Sequence, residues 1–141
     1  MKKLLLMLFL IPNISFALPI TLNEYISKHP SWNSSDKSSF SYITSRCGIL
    51  FVVISERYKN MTGGEEIYKM ALTNAVIFSK VSSDTYKEMG GKTNAFQERA
   101  KKWARIYGEE GVNNIDVYGE MIHGDVKSDV SSCMDKVMPA I

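Results

Sequence analysis

Phe40 to Tyr58, FSYITSRCGILFVVISERY, constrains this chain more than any other stretch, because it is strongly apolar and holds one of only two cysteines. Its apolar residues fall at Phe40, Ile43, Cys47, Leu50, Phe51, Ile54 and Tyr58. Steps of three and four place them along one face of a helix. Ser45, Arg46, Ser55, Glu56 and Arg57 lie between them and suit the opposite face. The β-branched run ILFVVI, Ile49 to Ile54, would also suit a buried strand. The periodic pattern outruns a strand, however, and Gly48 is its sole interruption, so a helix is predicted. Gly48 serves either a close helix approach or costs a little helix propensity.

Met1 to Ala17 has a different character: two lysines, the apolar run Leu4 to Ile11, Pro12, then Ser15-Phe16-Ala17. This is the pattern of a secretory signal peptide, too short to serve as a stable membrane anchor. No later apolar run is expected to cross a membrane, so no transmembrane anchor is predicted after cleavage. Residues 18–141 then form a single domain, periplasmic or secreted. The chain carries 17 Lys+Arg and 15 Asp+Glu, and Lys2 and Lys3 belong to the leader, which has no acid. The remainder is balanced at 15 of each sign. A neutral exported chain argues against nucleic acid as partner.

Thr21-Leu22-Asn23-Glu24 has the form of a capping box, opening a short helix that ends at His29-Pro30. Trp32 is expected to plug the following turn, and Ser35 or Asp36 to cap the long helix. After the break at Asn60 to Gly64, Glu65 and Glu66 favour a new helix start. Its predicted stripe is Ile67, Met70, Ala71, Ile77, Phe78 and Val81, with Asn74 inside it, and Gly90-Gly91 ends it. Thr93 is expected to cap a helix with the stripe Phe96, Ala100, Trp103 and Tyr107. Gly108 to Asn114 predicts a kink or break in a helix continuing through Ile115, Tyr118 and Met121. Val126, Val130, Cys133 and Val137 form the last stripe, stopped by Pro139. The expected fold is all-α: a small antiparallel bundle of about four main helices, a short N-terminal helix and one disulfide.

Cys47 and Cys133 sit on apolar stripes of the first long helix and the last one. In an exported chain they are expected to pair, contributing up to about 4.5 kcal/mol in the chain-entropy picture. A redox or metal role is disfavoured by the absence of C-x-x-C spacing.

The densest polar group is Asp116, Glu120 and His123, which would share one face of an unbroken helix. Glu-x-x-His spacing occurs in di-iron bundles, but a second such motif is missing, so a metal site here is the lesser reading beside a solvated helix face. Haem would need a C-x-x-C-H for covalent attachment, and the methionines suit core filling, so no cofactor is expected. There is no G-x-S-x-G, and Glu109-Glu110 reads as a solvated turn. Lys101, Lys102, Trp103 and Arg105 form a basic-aromatic face suited to docking a protein, or to an acidic face running from Glu109 to Asp135. The leading expectation is therefore a non-enzymatic adaptor, inhibitor or chaperone-like factor that contacts another exported or envelope protein. A bundle binding a ligand or metal at Asp116, Glu120 and His123, and an envelope-acting hydrolase with two convergent acids, are the alternatives.

Overall fold

The computed structural model describes residues 18–141, Thr93 by its backbone alone. The leader Met1 to Ala17 lies outside the described residues. Five α-helices follow in order: α1 (Leu22–Lys28), α2 (Lys37–Tyr58), α3 (Glu65–Glu88), α4 (Thr93–Tyr118) and α5 (Gly124–Ser132). A π turn (Cys133–Val137) and a 3₁₀ turn (Met138–Ala140) extend α5. Pro139 sits inside the last turn, where its missing N–H costs little. Among the described residues there is no strand.

The capping box forms as the sequence predicts. Thr21 Oγ1 accepts from the Glu24 amide at 3.3 Å, and the Thr21 amide donates to Glu24 Oε2 at 2.9 Å. Asp36 caps α2, accepting from the Ser39 amide at 2.9 Å. At the start of α4 the cap is Lys92, one residue before the expected Thr93.

α2 is the axis of the fold, with α3, α4 and α5 packed around it. It buries residues on almost every side, including Ser45, Arg46 and Ser55, which its apolar spacing assigns to a polar face. By length and composition α2 is apolar enough to cross a membrane, at a mean hydropathy of 1.3, contrary to the sequence expectation. Yet 72% of that window is buried within the fold, as befits a core helix. Gly48 does permit close approach: a Cβ there would lie 2.8 Å from Ser79 Oγ and 3.1 Å from the Ser79 amide nitrogen of α3. Phe51 and Phe78 stack nearby with centroids 5.8 Å apart.

Two expectations fail for reasons of packing. α3 buries Ala71, Asn74, Ala75, Phe78 and Ser82, whereas Met70 and Ile77 face outward. It meets the core along this narrow line of mostly small residues, so the outer edges of its apolar stripe go uncovered. α4 also runs unbroken through Gly108 to Asn114 and stops only at Gly119, whose φ of 77° ends it. Gly111 lies against Met121, where a Cβ would come within 2.8 Å of the side chain. Asn114 Nδ2 donates to the carbonyls of Met121 and His123 at 3.0 and 3.2 Å. These residues serve tertiary contacts of a helix, which outweigh their weak helix propensity.

Candidate functional site

The disulfide links Cys47 to Cys133 with Cα atoms 5.7 Å apart, closing a separation of 86 residues. One residue before Cys47, and one helical turn before Cys133, it brings Arg46 against Asp129. Arg46 Nη2 donates to Asp129 Oδ2 at 2.6 Å, and both side chains are fully buried. Tyr107 Oη donates to the same oxygen at 2.6 Å and accepts from Arg46 Nε and Nη2 at 3.1 and 3.0 Å. The Leu22 amide donates to Asp129 Oδ1 at 2.6 Å. Trp103 covers the guanidinium, with its ring centroid 3.8 Å from Arg46 Cζ. Among the described residues Arg46 Nη1 makes no hydrogen bond, so this cation–π contact helps offset its desolvation.

Burial raises the Asp129 carboxyl above its usual value, against the opposing pull of Arg46, Tyr107 and the Leu22 amide. For Arg46 burial opposes the charge, and the combined attraction of Tyr107, Asp129 and Tyr42 outweighs it. Burial likewise drives the Tyr107 hydroxyl well up. Perturbed groups in contact resemble catalytic machinery. Here Arg46, Tyr107 and Asp129 are each fully buried, so a substrate has no atom to meet. The cluster is a structural tie joining α1, α2, α4 and α5.

The other predicted residues are dispersed. Asp116 lies on α4 beside a cleft it shares with Arg105 and Glu109. Glu120 and His123 lie beyond the end of that helix, so the three cannot share one helical face. Glu120 Oε1 is 3.3 Å from His123 Nδ1, and His123 stacks on Tyr118 at 3.7 Å. Among the described residues, no three His, Cys, Asp or Glu side chains are grouped to hold a metal ion. The basic-aromatic face divides: Lys101, Lys102 and Arg105 are exposed, while Trp103 is buried on Arg46. Lys101 and Arg105 pair within α4, Lys101 with Glu98 at 2.9 Å and Arg105 with Glu109, the first residue of the acidic segment, at 3.8 Å. Glu109-Glu110 is helical, and Glu110 is buried, contrary to a solvated turn.

A second accessible feature is an apolar trough. Its floor is Ser45, Ile49 and Val52 of α2, spaced four and three apart along one stripe. Ser79 of α3 forms one wall, and Phe96, Ala100 and Ala104 of α4, each four apart, form the other. α3 and α4 both pack on α2, and they meet at their connecting end, where Tyr86 and Phe96 lie 5.2 Å apart. The groove between them has a volume of about 340 Å³, with Lys101 at its rim. Val52 is 43% exposed there, and Leu72 and Val76 on the outer face of α3 are 44% and 63% exposed.

No protein-family model matches the chain, and neither a curated protein nor a solved structure shows significant similarity to it. Arg46 and Asp129 escaped the sequence reading because charged residues default to the surface. The signal that could have found them is the predicted disulfide itself. Once Cys47 is joined to Cys133, their neighbours Arg46 and Asp129 must approach one another.

Proposed function

We propose that this is an exported, non-enzymatic protein that acts by contact, receiving an amphipathic helix of another exported protein in the trough on α2. The observation that carries this reading is the apolar stripe of half-buried Ile49 and exposed Val52 between walls that include the small residues Ser79, Ala100 and Ala104. Ser79, Ala100 and Ala104 leave room for a helix to approach closely, and a helix laid in such a groove adds one more member to the bundle. Lys101 at the rim of the trough favours a partner helix with an acidic residue beside its apolar face. The signal-like leader and the disulfide support an oxidising, extracytoplasmic location.

A photo-crosslinking residue at position 52, in the protein exported by its own host, tests the reading. The expected product is a single heterologous adduct that disappears when Ala104→Arg fills the trough and persists when Lys69→Arg alters a position exposed on α3. An adduct with a second copy of this chain, or none that depends on position 104, overturns it.

A further inference from the structure

The N-terminal end of the described chain meets α5 in a regular register. The Leu18 nitrogen lies 3.3 Å from Asp125 Oδ2, and four residues on, the Leu22 amide meets Asp129, which is one turn beyond Asp125. The Leu18 side chain is only 7% exposed. Close by, Glu110 is 8% exposed, and its Oε2 has no hydrogen-bond partner among the described residues. Burial, and then the negative charge of Asp125, raise the Glu110 carboxyl. Asp125 thus meets a backbone nitrogen that, as an amide, brings it no charge, while Glu110 stands near enough to Asp125 to add a second negative charge.

Leu18 is also the residue that follows the predicted cleavage site. We propose that hydrolysis of the Ala17–Leu18 bond creates a binding partner for Asp125: the α-ammonium of Leu18 docks on its carboxylate, beside the negative charge of Glu110, so that processing completes the fold. The step is ordinary peptide hydrolysis by a signal peptidase. Water supplies the hydroxyl of the new Ala17 carboxyl and one proton to the Leu18 nitrogen, and the proton released as that carboxyl ionises completes the ammonium. A free α-amino group titrates near 8 and is mostly protonated at neutral pH. The amide's bond to a carboxylate is already charge-assisted on the acceptor side, and the ammonium adds the opposite charge on the donor side. The inference rests on the exported reading above, specifically on a leader ending at Ala17.

The test is a cycle on the exported, purified protein. A glycine inserted after Ala17 displaces the amine from Leu18 while sparing every described side chain, and Asp125→Asn removes the carboxylate. Urea unfolding is measured for all four forms, after intact mass has established where each begins. The insertion is expected to raise the unfolded-to-folded ratio about 5–10-fold beside Asp125 and less than about 2-fold in the Asp125→Asn background. A carbodiimide should also join the Leu18 amine of the unaltered protein to Asp125, with loss of one water. A native chain that starts elsewhere overturns both this inference and the predicted cleavage site. A chain that starts at Leu18 without coupling, or without that crosslink, overturns the inference alone.

Discussion

Two neighbouring stripes of α2, one residue apart, solve opposite problems. Arg46 is enclosed by Tyr107, Asp129 and Trp103, whereas Ser45, Ile49 and Val52 line a trough open to solvent. A buried charge must be matched in position and sign, because a leftover charge costs several kcal/mol. An apolar groove has no such requirement, since each side chain contributes separately and small changes are absorbed. The sealed stripe should therefore carry stability and the open stripe recognition.

The largest expected effect tests the sealed side. Asp129→Ala leaves Arg46 buried without its counter-charge and should cost about 3–5 kcal/mol in urea unfolding. Replacing both partners, with Arg46→Met and Asp129→Leu, should recover much of that loss. If the single change costs no more than a change in the trough, the contrast collapses.

Next comes the disulfide beside it. Replacing both Cys47 and Cys133 by serine should cost up to about 4.5 kcal/mol, given a separation of 86 residues. Thermal unfolding of the oxidised and serine forms measures it. A negligible shift would assign the tie to the Arg46 cluster alone.

Acid should separate the cluster from the helix caps. The Glu24 carboxyl is held below its usual range chiefly by the Thr21 amide, and that of Asp36 by hydrogen bonds from Ser39. Their contribution is present above the ordinary carboxylate value near 4 and is lost as pH falls through the lowered folded-state values. Asp129 has the opposite sign, since its raised carboxyl favours protonation in the folded state. In urea midpoints compared at pH 7 and pH 3, Glu24→Gln with Asp36→Asn should therefore shift the acid response toward greater stability at pH 3, because the opposing contribution of Asp129 remains. A slope unchanged by those substitutions would place the acid sensitivity elsewhere.

The smallest effect belongs to the open stripe. Val52→Ser should shift stability by no more than about 0.5 kcal/mol while weakening partner crosslinking. A large loss of stability would show that the trough is part of the core.

Local signals were legible where short-range chemistry decides. The Thr21–Glu24 capping box, the Asp36 cap, the Trp32 plug and the helical nature of residues 40–58 all follow from neighbours within a turn or two. The candidate site was less legible. Trp103 was correctly placed on an apolar stripe, but its use beneath Arg46 depends on a residue 57 positions earlier. Gly108 to Asn114 resembled a break because propensity counts only local cost, while Met121 and His123 make that segment pack as helix.

The sequence by itself determined an all-helical chain, the Thr21 and Asp36 caps and the pairing of Cys47 with Cys133, because periodicity, capping and the number of cysteines are properties of short segments or of composition. Only the tertiary structure decided which faces of α2 are sealed and which open, and so made Arg46 a core residue and Val52 a surface one. Burial depends on which helices arrive on each side. That arrangement is set by distant contacts such as Gly48 with Ser79 and Arg46 with Asp129, which no local pattern contains.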